Sequence, residues 1–571
     1  MRIVVDLTKC QGYAQCAFLA PDVFTIQGDE ALTYDPDPDD AQGTKVRRAA
    51  AACPVQAIRL EQPPAPGTLD GQSGPDVAYQ TSTRPGMSDP VLNNGGAFKK
   101  TGRIVIVGAS LTGLHAAEAL REEGFTGSLT LIGEEPHEPY DRPPLSKQLL
   151  AGAFRSADTS LPQRRDIGAT WRLGVAATSL NLATKQVQLA DGNRIGFDKL
   201  LIATGLRSRP WPNTAEAALA GVLTLRTQED SATLRHLLAG HPRRVLVIGA
   251  GFIGCEVASV CRELGLQVTV AEAGPAPLVA ALGGTIGAIA GELQLENGVD
   301  LRCGVRVTSL EGDATGQLRR AVLSDGTTLE VDVAVAALGS VRNVEWLADS
   351  GLACGVWGVA CDAGCRAFDA NGLVTDDVFV AGDIARAPQP MYGYQYLAVE
   401  HWGNAISQAE VAAHNMVSRE TERWPHLAVP KFWSVQFGTE IKSVGVPSAA
   451  DEVAIVQGSV AQRRFLAVYG YKGRIVAAVA FNQNKWLDFY EPLIEQAAPF
   501  PPAFHHVDEA THADPVPAGF KAAPSPTQDA TVVVTGHDPN ERRARLTNPA
   551  AGETPSRRPA ESAARTKEGS P

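Results

Sequence analysis

Arg244-Val-Leu-Val-Ile-Gly-Ala-Gly-Phe-Ile-Gly254 is the stretch that decides the fold of this chain. The apolar run Val245–Ile248 reads as a buried strand, and it leads straight into Gly249, Gly251 and Gly254. Glycines at that spacing let backbone amides and a helix N-terminus approach a pyrophosphate, whose negative charge the helix dipole favours. Glu272 lies 18 positions beyond Gly254. A carboxylate there accepts hydrogen bonds from a free ribose 2′-hydroxyl and repels a 2′-phosphate, and no arginine follows it in Ala273-Gly-Pro-Ala-Pro277. The motif therefore favours NADH over NADPH.

A second glycine turn lies upstream. Arg103-Ile-Val-Ile-Val107 enters Gly108-Ala-Ser-Leu-Thr-Gly113, with Ser110 in place of the middle glycine and an alanine-rich helical stretch behind it. This match is looser. It is strengthened by the strand-like Ser128-Leu-Thr-Leu-Ile-Gly133 and by Glu134, 21 positions after Gly113, where a carboxylate can bind ribose hydroxyls. A third run, Asp377-Val-Phe-Val-Ala-Gly-Asp383, ends in a carboxylate that either caps a helix or faces the sugar-like chain of a flavin. From Arg103 to about Glu420 strands and helices alternate as in a doubly wound sheet.

Toward the N-terminus the chemistry changes. Cys10 and Cys16 in CQGYAQC, with Cys53 in CPVQAI, match the cysteine run of bacterial ferredoxins except that Tyr13 stands at the middle position. Three thiolates suit a 3Fe-4S cluster, and a 4Fe-4S cluster with a non-cysteine ligand at the odd corner stays open. Cys361 and Cys365 have no second pair or histidine at ligand spacing, and Cys255 and Cys261 fall on the helix after the second glycine motif. All four read as structural thiols.

The composition agrees with a soluble, multidomain protein: 571 residues, 44% hydrophobic and 20% charged, with no apolar run of membrane-spanning length. Nine cysteines scattered through a long chain do not form a disulfide framework. Together with a start, MRIVVDLTKC, that lacks a secretory apolar region, this implies a cytoplasmic protein. A net charge of −12 argues against a nucleic-acid partner.

Read in order, GASLTG at 108–113, YDRPPLSK at 140–147, ATG at 203–205, LRT at 225–227, GAGFIGCE at 249–256, FVAGD at 379–383, EHWGNA at 400–405 and FWS at 432–434 resemble the FAD-dependent, NADH-dependent ferredoxin reductases of the putidaredoxin reductase type. The resemblance implies an FAD domain in two segments with the NAD domain inserted between them. It implies that Lys147 lies by the reactive edge of the flavin and pairs with Glu256, a cation there stabilising the charge of the reduced ring. Trp402 would pack beside the isoalloxazine; Lys147, Glu256 and Trp402 are the candidate catalytic residues. Arg226 would touch the FAD by charge and Ala177 by its backbone. Arg142, Asp383 and Gly339 join Gly108, Ser110, Gly113, Glu134, Gly249, Gly251, Gly254 and Glu272 as cofactor-binding candidates. The first 61 residues resemble the small single-cluster ferredoxins that serve bacterial monooxygenases of the cytochrome P-450 type, through Val5-Asp6, Pro21-Asp-Val-Phe24 and Cys53-Pro-Val-Gln-Ala-Ile58.

The expected architecture is α/β: two dinucleotide-binding, Rossmann-like domains with a C-terminal α+β domain, preceded by a small α+β ferredoxin domain. Residues 1–61 would form the ferredoxin, with Cys10, Cys16 and Cys53 as iron ligands, and 62–100 a flexible linker. The FAD domain would take 101–220 and 336–423, the NAD domain 221–335 and the C-terminal domain 424–503, with 504–571 a disordered tail. Such a chain would pass electrons from NADH through FAD to its own cluster and on to an external acceptor, a cytochrome P-450 type monooxygenase. An NADH-binding redox sensor or scaffold with little turnover is the alternative on fold alone. A disulfide reductase needs a cysteine pair near the flavin, and no cysteine occurs between Cys53 and Cys255.

Overall fold

A computed structural model describes residues 2–5, 16, 20, 22–27, 31–35, 38–52, 58–61, 94–240, 242–389, 392, 395–502, 514–520, 531–535 and 543–547. The first glycine turn belongs to a six-stranded sheet in the order Arg366–Phe368, Val374–Val380, Lys199–Ile202, Arg103–Val107, Ser128–Ile132, Thr170–Arg172. All its pairings except the first are parallel. Both faces are covered, one by helices Leu111–Glu122 and Trp402–Val417 and the other by the antiparallel strands Ala177–Asn181 and Gln186–Leu189, which is why Ile104–Val107 and Leu200–Ile202 are apolar without alternation and buried. Two strands of this sheet come from beyond residue 365, so the chain leaves the first unit and returns to it.

The excursion forms a five-stranded, wholly parallel sheet in the order Val222–Leu223, Val333–Ala336, Arg244–Ile248, Gln267–Glu272, Asp300–Cys303. Helix Phe252–Glu263 follows its glycine turn, and helix Val279–Glu296 covers the face beyond Glu272. After helix Trp402–Val417 the chain builds an antiparallel sheet from Lys431–Gln436, Thr439–Gly445, Arg474–Phe481, Arg464–Tyr471 and Glu452–Ser459.

The N-terminal segment pairs Arg2–Val5 with Ile58–Glu61 and Phe24–Gln27 with Ala31–Tyr34, with helix Gly43–Ala52 between. Ile3, Val5, Ala20, Val23, Phe24, Val46, Ala49 and Ile58 form its core, and Cys16 packs against it. Cys10, Tyr13 and Cys53 lie outside the described residues.

Two boundaries differ from the sequence expectation. Asn94–Thr101, placed in the linker, is a helix packed on the first unit: Phe98 meets Phe125 at 5.8 Å between ring centroids, and the Lys99 carbonyl accepts from the Thr126 and Gly127 amides. Residues 514–520, placed in a disordered tail, add Val516–Pro517 as the sixth strand of the C-terminal sheet. The Ala518 and Gly519 carbonyls then accept from the amides of Thr285 and Gly284 in helix Val279–Glu296. Farther on, Thr531–Thr535 pairs with Arg543–Thr547. Cys255, Cys261, Cys361 and Cys365 are buried, and burial pushes their thiols well above the ordinary range, as suits structural thiols. No helix among the described residues is long and apolar enough to cross a membrane.

Candidate functional site

Both glycine turns are close approaches that side chains would block. Gly108 (φ +121°) and Gly249 (φ +100°) hold backbone conformations that L side chains rarely adopt, and a Cβ on either would overlap a carbonyl, of Ala203 and Ala337 respectively. A Cβ on Gly113 or Gly254 would strike the carbonyl of Gly108 or Gly249, so these residues let helix pack on strand. Gly251, by contrast, faces open space. Neither Ser110 nor Gly251 caps its helix with a side chain, leaving the N-terminal amides for an anion. Glu272 closes its strand with both oxygens held, Oε2 accepting from the Ala250 amide at 2.7 Å and Oε1 from the Gly274 amide at 2.5 Å.

Ser110, Arg142, Lys147, Arg226, Glu256, Asp383 and Trp402, separated in sequence by up to several hundred positions, line one cavity of about 290 Å³. Lys147 Nζ lies 2.7 Å from Glu256 Oε2, with the ammonium side chain 14% exposed and the carboxylate side chain 3%. Glu256 also accepts from Ser146 Oγ at 2.5 Å and Ser434 Oγ at 2.7 Å. Every oxygen of this buried carboxylate thus has a donor, the condition under which a buried charge pair persists. Arg226 Nη2 sits 3.6 Å from Asp383 Oδ2. Burial raises the Asp383 carboxyl, and Arg226, Arg142 and Arg342 oppose that shift. Arg142 is held by Glu135 at 2.5 Å, by the Tyr140 hydroxyl and by the Arg226 carbonyl. Trp402 Nε1 donates to Asp141 Oδ1 at 2.9 Å, and its ring meets Trp433 edge-on at 5.8 Å.

Of the expected cofactor contacts, Gly108, Gly113, Glu134, Ala177, Gly249, Gly251, Gly254, Glu272 and Gly339 do not line this cavity. Glu134 is exposed past the end of its strand, and the adjacent Glu135 turns inward to Arg142 and Tyr140. Ala177 is paired with Leu189 in a separate antiparallel sheet and does not line this cavity. The Gly339 carbonyl accepts from the Arg209 amide, in the loop whose Ala337 abuts Gly249. Conversely, Asp141, Ser146, Glu400 and His401 line the cavity without having been assigned a role, although each lies inside a quoted motif. Ser434, which reaches Glu256, was likewise hidden within FWS.

His401 packs edge-on against Phe432, its Nδ1 has no partner among the described residues, and burial pushes the imidazole down to about 4. His426, buried elsewhere, is also pushed down to about 4. The unfolded chain takes up these protons below the ordinary value of 6.5, and the folded chain does not. The stability they contribute is therefore complete above that value and is lost as pH falls toward 4, by up to about 3 kcal/mol per histidine. Urea midpoints should fall across that window in the native chain. Replacing both histidines by Gln should flatten the fall, and an unchanged slope would refute this account.

The lining fits a flavin dinucleotide: an uncapped helix N-terminus beside a glycine cradle, two guanidinium groups, a buried carboxylate and an aromatic ring converge on one space. Among the described residues no group of three or more His, Cys, Asp or Glu side chains is placed to hold a metal.

Comparison with known proteins agrees. Residues 102–409 match the family described as pyridine nucleotide-disulphide oxidoreductase, 3–60 the 4Fe-4S single cluster domain and 431–513 the reductase C-terminal domain. The chain is 34% identical over 386 residues to the biphenyl dioxygenase system ferredoxin–NAD(+) reductase component of Paraburkholderia xenovorans (strain LB400), covering 67% of this chain and 90% of the relative. To putidaredoxin reductase of Pseudomonas putida it is 32% identical over 403 residues, with the same shares. The crystal structure of the covalent putidaredoxin reductase–putidaredoxin complex superposes with a TM-score of 0.65 at 29% identity, covering 70% of this chain and 94% of that one. The chain therefore belongs to the pyridine nucleotide-disulphide oxidoreductase family, as an FAD- and NADH-dependent ferredoxin reductase of the putidaredoxin reductase type with an iron–sulfur ferredoxin domain at its N-terminus.

Proposed function

We propose that this chain is a self-contained redox partner, carrying electrons from NADH to its own cluster and then to an external one-electron acceptor, a cytochrome P-450 type monooxygenase. The observation that carries the reading is the pairing of a half-buried Lys147 with a buried Glu256, contributed by the two dinucleotide-binding units to one cavity. A bound flavin takes a hydride's two electrons and gives them up singly, as a one-electron cluster requires. In this reading the chain's residues supply the setting. Lys147 holds positive charge at the reactive edge, Glu256 fixes its position, and Trp402, tied to Asp141, walls the ring. Arg142, Arg226 and the amides behind Gly108, Ser110 and Gly113 hold the pyrophosphate and neighbouring groups, with Asp383 on the sugar-like chain. Glu134 takes the adenosine ribose. Gly249, Gly251, Gly254 and Gly339 surround the NADH, with Glu272 on its ribose. A P-450 type acceptor is supported by the N-terminal motifs, which resemble those of ferredoxins that serve such monooxygenases.

Cys10, Cys16 and Cys53 hold the cluster, and the three thiolates favour a 3Fe-4S form. The purified protein should contain about three irons per FAD and show a paramagnetic oxidised state. About four irons with a silent oxidised state would establish the 4Fe-4S form instead. Electron delivery itself is tested by supplying NADH and following reduction of a monooxygenase by the whole chain; binding of NADH without turnover would favour a sensing role.

Because both Glu272 oxygens are fixed by backbone amides, the carboxylate cannot swing away from a 2′-phosphate without breaking those bonds. NADH should reduce the flavin at least roughly tenfold more efficiently than NADPH, about 1.4 kcal/mol of discrimination. Glu272→Arg should narrow or reverse the preference. Equal efficiencies in the native chain would remove Glu272 from this role.

A further inference from the structure

The strand Lys431–Gln436 points Phe432, Ser434 and Gln436 inward and Trp433 outward, as the two-residue period requires. Two polar residues on an inward face are costly unless each is hydrogen-bonded. They are spent on a chain that ends at the Lys147–Glu256 pair. Gln294 Nε2, on helix Val279–Glu296, donates to Gln436 Oε1 at 2.9 Å. Gln436 Nε2 donates to Ser434 Oγ at 3.2 Å, and Ser434 Oγ donates to Glu256 Oε1 at 2.7 Å. All four side chains are buried. Every bond runs donor to acceptor toward the carboxylate, so each polarises the next in the same sense. Lys147 and Ser146 occupy the other oxygen, Oε2. The carboxylate is thus shared between the flavin-side lysine and a relay from the C-terminal and NADH-binding domains.

We propose that Ser434 and Gln436 are positioning residues that set the charge balance of the Lys147–Glu256 pair and, through it, the reduction potential of the flavin. This rests on the reading of Lys147 as the cation beside the flavin. Without the Ser434 hydroxyl, the carboxylate charge is no longer drawn toward Oε1 and rests more fully on Oε2, against Lys147. The Lys147 charge is then more compensated, and the reduced, more negative flavin is disfavoured. An ordinary packing role for the strand gives no such directed effect.

The test measures the flavin midpoint potential in FAD-loaded full-length protein, alongside FAD content and the thermal midpoint. Ser434→Ala should lower the ratio of reduced to oxidised flavin at fixed potential about tenfold, a shift of about −30 mV for a two-electron couple. Gln436→Leu should shift it in the same direction by about threefold. Ser434→Thr, which keeps the hydroxyl, should stay near the native value. Ser443→Ala is the control, since Ser443 is buried in the neighbouring strand with its hydroxyl unpartnered among the described residues, and it should leave the potential unmoved. An unshifted potential in Ser434→Ala, or an equal shift in Ser443→Ala, overturns the proposal. Should Ser434→Ala lose its FAD, Gln436→Leu decides in its place by the same criterion. Lys147→Met separates the two readings: if it leaves the potential unmoved, the placement of Lys147 fails, and if it moves the potential while Ser434→Ala does not, only the relay fails.

Discussion

Glu256→Leu should slow NADH-dependent flavin reduction by at least about 100-fold, the scale on which loss of one preorganised electrostatic group acts. The same change should lower the unfolding free energy by about 3–5 kcal/mol, because it strands an ammonium in a buried site. Lys147 Nζ would keep its hydrogen bond to the Pro143 carbonyl at 3.1 Å, and the hydroxyls of Ser146 and Ser434 would face methyl groups. Glu256→Gln separates the two effects, since an amide preserves the shape, its oxygen accepting from one hydroxyl while its NH2 donates to the other. It should recover most of the stability while leaving flavin reduction slow, because the charge that fixes the ammonium is gone. Stopped-flow bleaching of the flavin reads the first effect and urea unfolding the second. Native-like flavin reduction in Glu256→Leu would show that the pair has no part in the chemistry.

How much of this was legible in the sequence depends on where the information resides. The two glycine turns are readable because the requirement is local: Gly108 and Gly249 stand where φ is positive and a carbonyl closes off any side chain. The inward turn of Glu135 is not, because it depends on Arg142 and Tyr140, which fold back from the next loop to bind it and leave Glu134 exposed at the strand end. Ser434 is hidden for a related reason. Its partner lies 178 positions away, and no periodicity connects them. The segment 514–520 escaped because its composition is that of a tail, whereas its docking on helix Val279–Glu296 runs largely through main-chain carbonyls that any sequence can supply. Asn94–Thr101 escaped because its helix is short and is held by Phe98 and by loop amides from residues 126 and 127.

Cys53→Ser should abolish the cluster and leave the flavin in place. The two sites belong to separate hydrophobic cores, one around Ile3, Phe24 and Val46 and the other around Ile104, Leu114 and Leu131. Cys53 follows directly on helix Gly43–Ala52 and precedes Ile58, which pairs with Val5, while Cys16 packs against the same core. A serine oxygen is a poor substitute for a soft thiolate at an iron–sulfur corner. A domain of about 60 residues buries little apolar surface, so loss of the cluster should also make the N-terminal segment the first to be cut by protease. The variant should retain its FAD, be reduced by NADH at the native rate, and still reduce a small one-electron acceptor that takes electrons from the flavin directly. Delivery to a monooxygenase should fall by at least about 100-fold, since without the cluster no one-electron carrier reaches the partner. If iron is retained, Cys53 is not a ligand. If iron is lost and delivery continues at the native rate, electrons leave from the flavin and the relay through the fused domain is wrong.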